Sequence, residues 1–379
     1  MKKTRLLVLL MLVFALLLAA CAPAAQPTEE PTEEPTEEPM DEPAEETEEE
    51  PMEEATEEAT EEATEEATEE AMAEPFRIAV VSPSATNDLA FSQSIYDAVM
   101  LIQEEMGGED AVEVAFSDNL FVVEDAAAAI RDYASEGYDL VIAHGSQYGG
   151  SLVEIAPDFP DTAFAWGTAG DTFEDQGVTN VFAYEAASDE GGYVMGVMAA
   201  ELSESGVIGV VGPVEVGDAK LYVDGFATGV TAQNPDATVN INYIGSFSDV
   251  ALASEAAQAQ VSAGADVMSG TAQMVVGAIG VAAENGVLWF GTQADQASLA
   301  PEIVVASQVY HWEVVLRDII ENMQNGVMGG EAYVINLENG GETIAFNEDY
   351  ELPEEVRTLA EETIQGLIDG SITYELPTE

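Results

Sequence analysis

The sequence predicts an α/β fold of two lobes, each a doubly wound parallel sheet flanked by helices, joined by a hinge. Three observations predict it. Short apolar strands alternate with helical patterns from residue 77 to 323, the signature of parallel α/β layers. The pattern is also written twice, since YDLVIAHGSQYGGSLVEIAPDFPDTAFAWGTAGD at 138–171 has an echo in ADVMSGTAQMVVGAIGVAAENGVLWFGTQAD at 265–295. In each copy a strand ends in a small-residue turn carrying a glutamine, Gln147 or Gln273, and a later strand holds Trp166 or Trp289 before Gly-Thr. The likeness extends upstream to AFSD at 115–118 and SFSD at 246–249. Finally, about 305 residues follow a low-complexity leader, more than one core usually holds. Ligands of parallel sheets sit at the carboxyl ends of strands, so two facing halves would put both glutamine loops on one cleft.

Taken in order, residues 1–20 carry Lys2, Lys3 and Arg5 ahead of an apolar run from Leu6 to Ala20. A run this short behind a basic start reads as a secretory signal, not a spanning helix. Leu18-Ala19-Ala20-Cys21 resembles a bacterial lipobox, whose cysteine is acylated and becomes the new first residue. Cys21 is the only cysteine, so no intramolecular disulfide can form. The expectation is an exported protein held to the outer face of the cell membrane by lipidated Cys21. Stable anchoring needs more than one acyl chain, which a lipoprotein supplies. Residues 21–74 continue from that cysteine as TEEP and then TEEA repeats, with 24 acidic residues and no basic one. Such a segment buries too little apolar surface to offset its ordering entropy and is expected to be a disordered tether. A flexible chain of that length spans about 40 Å, and self-repulsion extends it.

The ligand-binding domain is expected over 75–379. In its first half, strands are predicted at 77–82, 112–116, 140–143, 163–167 and 181–184, with helices near 91–106, 123–135 and 148–156. A helix at 190–202 carries the chain into the second half. There the predicted strands are 207–211, 239–244, 267–268, 287–290 and 303–309, with helices near 219–233, 251–263, 274–284 and 312–323. Residues 332–346 read as a hairpin around Asn339-Gly340-Gly341, and 353–368 as a closing helix. Lobe 1 is expected to hold about 76–185 plus a returning segment near 290–310, and lobe 2 about 190–288 plus about 312–379.

Charge narrows the partners. Setting aside the tether's 24 carboxylates and the leader's three cations leaves 50 acidic against 5 basic residues in 75–379, a net charge of −45. Nucleic acid and anionic membrane surfaces are excluded as partners, because binding them requires Lys and Arg to neutralise phosphates. The plain reading of the charge is a solvated acidic surface.

The ordered motifs carry a family resemblance. Asn87-Asp88-Leu89-Ala90-Phe91-Ser92-Gln93 resembles the D-x-x-F-N-Q loop of the basic membrane protein family, lipoproteins of ABC importers that bind purine nucleosides. Glu190-Gly191-Gly192-Tyr193-Val194-Met195-Gly196 resembles the family's E-G-x-Y-L-x-G helix, and Asp224-Gly225-Phe226-Ala227-Thr228-Gly229 is similar to a second family segment. Gly245-Ser246-Phe247-Ser248-Asp249, Ala263-Gly264-Ala265-Asp266-Val267 and Gly291-Thr292-Gln293-Ala294-Asp295-Gln296 extend the likeness over about 76–346. The resemblance implies a periplasmic-binding-protein-like fold that closes by a hinge around a purine-type small molecule and delivers it to ABC permease and ATPase subunits. The protein is expected to act as a monomer, with no cofactor and no metal.

Phe91 and Phe247 stand at strand ends in opposite halves, and the resemblance implies that the two rings sandwich a base. A phenylalanine in such a place can equally be core. Asp88 could accept hydrogen bonds from ring N–H groups or cap the following helix, and the roles are compatible. Gln147 offers the paired donor and acceptor that suit a purine edge, Gln273 repeats its position, and Gln93 completes the first loop. His144 could point into the cleft or bond locally, whereas Trp166 and Trp289 read as packing residues. The sugar end departs from the family. Its G-x-D-x-D loop here carries Gln293 at the first acidic position and keeps only Asp295. The stretch after Ser307 reads Gln308-Val309-Tyr310-His311-Trp312, without the family's lysine. Tyr310 and Trp312 are therefore expected to give this end an apolar wall, which favours a free nucleobase over a nucleoside; the alternative is that Gln293 and Asp295 still hold a ribose.

Two other classes share these features. A tethered ligand sensor would use the same cleft. A nucleoside-cleaving hydrolase needs paired carboxylates, which are too abundant here to be diagnostic. Nucleophilic catalysis is poorly supported, because His144 and His311 are the only histidines and Cys21 is assigned to lipid. No HExxH, P-loop or EF-hand pattern occurs, and the protein is expected not to be an enzyme.

Overall fold

The computed structural model describes residues 74–377, so the expectations for the signal, for Cys21 and for the acidic tether fall outside the described residues. The first half runs β1 (Phe76–Val81), α1 (Phe91–Glu105), β2 (Val112–Ser117), α2 (Val123–Ser135), β3 (Leu140–His144), α3 (Gly149–Ile155), β4 (Ala163–Gly167) and β5 (Val181–Ala186). The second runs α4 (Ser188–Leu202), β6 (Val207–Gly212), α5 (Gly217–Gln233), β7 (Thr238–Tyr243), α6 (Val250–Ser262), β8 (Val267–Gly270), α7 (Val275–Asn285), β9 (Leu288–Gln293) and β10 (Val304–Tyr310). After these come α8 (Glu313–Gln324), β11 (Ala332–Ile335), β12 (Glu342–Phe346) and α9 (Glu354–Ile368). The strands form two six-stranded sheets, β11-β5-β4-β3-β1-β2 and β12-β10-β9-β8-β6-β7. The predicted two-sheet α/β architecture is the one found.

The inner strands of the first sheet are apolar on both sides because both sheet faces are covered. In β1, Ile78 and Val80 enter one core while Ala79 and Val81 enter another across the sheet. In β4, Ala163 and Ala165 divide from Phe164 and Trp166 in the same way. The second sheet repeats the arrangement, with Ile208 and Val210 of β6 on one face and Val211 on the other. Among the described residues, no helix is long and apolar enough to cross a membrane.

Two details of the lobe boundary differ from expectation. Residues 290–310 do not return to lobe 1. β10 lies parallel on β9, with Ser307 beside Gly291 and Gln308 beside Thr292, and so completes the second sheet. The returning segment begins at Trp312. The apolar stripe of α8, Val315, Leu316, Ile319 and Ile320, packs into the first-lobe core, and β11 then adds to β5 with Ala332 beside Ala183. Residues 312–335 therefore belong to lobe 1, whereas β12 and α9 belong to lobe 2. Nor is 332–346 a hairpin. The turn forms as its sequence demands, with Asn339 Oδ1 accepting from Asn336 N at 3.0 Å and Gly341 N at 2.9 Å, and with Gly340 at φ +72°. The strands it joins go to different sheets, β11 parallel to β5 and β12 antiparallel to β10. A turn signal fixes a reversal of direction without fixing the partner.

The chain thus crosses between lobes three times, at β5 to α4, β10 to α8, and β11 to β12.

Candidate ligand-binding cleft

Loops at the carboxyl ends of strands from both sheets open on one cleft, which encloses ≈ 490 Å³ of space, part of it open to solvent. Lobe 1 contributes Pro83 after β1, Phe91 at the start of α1, Phe121 after β2, Ser146 and Gln147 after β3, and Thr168 after β4. Lobe 2 contributes Val216, Gly217, Asp218 and Ala219 around the start of α5, Phe247 after β7, Ala272 and Gln273 after β8, and Gln293 at the end of β9. Hydrogen bonds join the lobes along it: Gln273 Nε2 donates to Ser84 Oγ at 3.0 Å, Gln296 Nε2 to the Leu89 carbonyl at 3.2 Å, and Thr168 Oγ1 to Asp218 Oδ1 at 3.3 Å.

The backbone is strained at this place. Ala272 and Gln293, both in the cleft wall, have φ of +74° and +71°, and Leu89, two residues before Phe91, has +53°. Left-handed conformations in non-glycine residues cost on the order of 1–3 kcal/mol and cluster at ligand sites.

Phe91 is held from behind. Its ring stacks on His144 at 4.1 Å between centroids, and His144 in turn stacks at 5.9 Å on Tyr184 and meets Trp312 edge-on at 5.7 Å. His144 Nδ1 and the Tyr184 hydroxyl are 2.7 Å apart. Burial pushes the imidazole down to about 3, so the ring is neutral at physiological pH and serves as an aromatic plate. His144 therefore lies beneath Phe91, not in the cleft wall. It holds the Phe91 ring in place from behind.

The expected site residues divide by position. Phe91, Gln147, Phe247, Gln273 and Gln293 line the cleft. Asp88 does not line it, because its carboxylate is engaged by the helix it precedes. Oδ1 accepts from Ala90 N at 2.9 Å and Gln93 N at 3.1 Å, and Oδ2 accepts from Ser92 N at 3.1 Å and Ser84 Oγ at 2.6 Å. Gln93, Asp295 and Tyr310 line a separate hollow with Asp97 and Glu313, which Gln293 also borders. Trp312 is fully buried, donating Nε1–H to Ser94 Oγ at 2.8 Å, because α8 carries it back into the first-lobe core. The expected apolar sugar wall of Tyr310 and Trp312 is thus absent from the cleft, and Gln293 and Asp295 do not act there as a pair. Trp166 and Trp289 pack as expected, donating to the Gly145 carbonyl and to Gln296 Oε1.

Sequence reasoning missed Asp218, Thr168 and Phe121. The signal was available, since each follows the carboxyl end of a strand, β6, β4 and β2. Burial pushes the Asp218 carboxyl up to about 6, against the Thr168 hydroxyl and backbone N–H groups that pull it down. Its Oδ2 is enclosed and has no partner, and the same holds for Oε1 of Gln293, which is 3% exposed. The five cations of the described residues, Arg77, Arg131, Lys220, Arg317 and Arg357, are each paired with a carboxylate. Among the described residues, no Lys, Arg or His lines the cleft. Among the described residues, no cluster of His, Cys, Asp and Glu is arranged to hold a metal ion.

The sequence model of the Bmp family, described as ABC transporter substrate-binding protein PnrA-like, matches residues 76–372. A purine-binding protein of Brucella abortus is 26% identical, over 79% of this chain and 83% of its own length. The ABC transporter nucleoside-binding protein BmpA of Lactococcus lactis is 25% identical, over 78% of this chain and 87% of its own. An ABC transporter solute-binding protein of Conexibacter woesei has the same fold, with a TM-score of 0.65 at 22% identity over 79% of this chain and 98% of that one.

Proposed function

Because the chain belongs to the Bmp family of PnrA-like ABC transporter substrate-binding proteins, we propose that it captures a purine nucleobase or nucleoside between its lobes and delivers it to a membrane permease. The observation that carries this reading is the pair of phenylalanines, Phe91 and Phe247, brought into one cleft from opposite lobes. Two aromatic walls bordered by hydrogen-bonding Ser, Thr, Gln and Asp side chains suit a flat heteroaromatic ligand, because every base has a π-face to stack and polar edges to pair. The purine-binding and nucleoside-binding relatives support the same class. Closure would hinge at the three crossings, and the hydrogen bonds between lobes along the cleft are the contacts it would make or break.

Calorimetric titration with adenine, guanine, hypoxanthine and their nucleosides tests the reading, and heat from none of them at millimolar concentration would sink it. Phe91→Ala and Phe247→Ala are each expected to weaken binding by about 1–3 kcal/mol, the worth of one stacked base. Unchanged affinity in both, with an intact circular dichroism spectrum, would mean the ligand rests on other walls.

We also propose that the domain is exported and held at the outer face of the membrane by acylated Cys21, through the acidic tether. The support is the lipobox-like Leu18-Ala19-Ala20-Cys21 and the single thiol. Cys21→Ser is expected to leave the protein unprocessed or soluble; a cleaved variant that still partitions into detergent would refute the anchor.

A further inference from the structure

Among the described residues, Asp218 is the one carboxylate that lines the cleft. Its oxygens are used unequally. Oδ1 takes the hydroxyl of Thr168 from the opposite lobe at 3.3 Å, while Oδ2 is enclosed with nothing to accept from. A buried acceptor left without a donor is costly, and burial already pushes this carboxyl up to about 6. Gln293 repeats the situation in the same lobe, 3% exposed, with Oε1 unpartnered and its backbone held at φ +71°. Two acceptors are thus built into the lobe-2 wall without donors. Two nearby donors are engaged elsewhere, the Gln273 amide N–H on Ser84 Oγ and the Thr168 hydroxyl on Oδ1, and the backbone N–H groups of Asp218 and Ala219 only partly offset the burial of the carboxyl. Among the described residues, no Lys or Arg lines the cleft.

We infer, resting on the purine reading above, that Asp218 is the specificity-determining acceptor of the cleft, taking an N–H from an amino group on the ligand with Gln293 as the second acceptor. The ligand class is then an amino-substituted purine, neutral or cationic, and anionic heterocycles and phosphorylated nucleotides are rejected. Asp218 fixes the sign of the site. A glutamine amide can turn to present either end, whereas an ionised carboxylate only accepts. A site built to receive an N–H discriminates strongly against the analogue that lacks it, because its own acceptors are then left unpaired. The same carboxylate would also tie ligand capture to closure, one oxygen on the ligand and the other on Thr168 of the facing lobe.

The test uses two ligand pairs that differ by one amino group, adenine against purine and guanine against hypoxanthine, with urate as the anionic probe, titrated at pH 7.5. The amino member of at least one pair is expected to bind at least tenfold more tightly to the wild-type protein, with no binding of urate. In Asp218→Asn, which keeps the shape and reverses one acceptor to a donor, that preference should fall at least tenfold. Equal affinity within both pairs for the wild-type protein would overturn the inference while leaving the purine reading intact, and needs no variant. Retained preference in a folded Asp218→Asn, or tight binding of urate, would overturn it too. Failure of every purine to bind would remove both readings together.

Discussion

Gly196→Ala and Gly229→Ala are each expected to destabilise the second lobe by about 3 kcal/mol or more, at the upper end of what overpacking costs. The reason is how closely α4 and α5 approach. Each helix places two glycines four residues apart on one face, Gly192 and Gly196 on α4, Gly225 and Gly229 on α5. A Cβ on Gly196 would lie 2.1 Å from the Phe226 carbonyl oxygen and 2.8 Å from Val230 N. On Gly229 it would lie 2.1 Å from the Tyr193 carbonyl oxygen, and on Gly225 2.3 Å from that of Asp189. These are backbone atoms, which no rotamer change can move aside. The helices must separate, and with them the core formed by Val194, Met195, Met198, Phe226 and Val230. Gly280→Ala is the control. It lies on α7 with open space where the Cβ would go, so the helix should gain about 0.5–1 kcal/mol from lost backbone entropy. Urea denaturation of the 75–379 domain would distinguish them; losses below 1 kcal/mol at both Gly196 and Gly229 would show that the helices part easily.

The glycines also show what was legible in the sequence. The segments Glu190–Gly196 and Asp224–Gly229 were visible as family-like motifs, but their purpose, backbone contact between two helices, depends on which helices meet. The strands were legible because both faces of each sheet are buried, so their apolar runs are continuous; the period-doubled pattern at 138–171 and 265–295 gave the two lobes directly. The third crossing was not, because β11 and β12 carry the same local signals whether they pair with each other or with β5 and β10. Site residues divided on similar lines. Phe91, Phe247 and the glutamine loops follow from the strand-end rule. Trp312 was misplaced because one unseen crossing moved it from the cleft to the first-lobe core. Asp218 was lost among 50 carboxylates, and only burial distinguishes it from its solvated neighbours.

The third crossing itself carries the other large effect. Glu342→Gln is expected to raise the stability of the domain at pH 7 and to flatten its decline as pH rises above about 4.5. Glu342 opens β12 at 1% exposure, with no side-chain donor on either carboxylate oxygen and only the Gly191 backbone N–H pulling its carboxyl down. Burial, and then the nearby charges of Glu190 and Asp189, push its carboxyl well above the ordinary value of 4.5. Below about 4.5 the group is protonated in both folded and unfolded chains and costs nothing electrostatically. As pH rises past that point the unfolded chain gives up its proton while the folded one keeps it. Stability is then lost by about 1.4 kcal/mol per pH unit until the folded value is reached. Glutamine has the same shape and no proton to lose, so it removes the loss across that window. Asp218 and Glu190 are pushed in the same direction, by burial first, and leave a smaller decline in the variant. Equilibrium urea unfolding of wild type and Glu342→Gln at pH 5, 6, 7 and 8 would show it as two curves that converge toward acid and separate toward alkali. Parallel curves, or a variant less stable at pH 7, would mean that the carboxylate is ionised in the fold and that a donor reaches it.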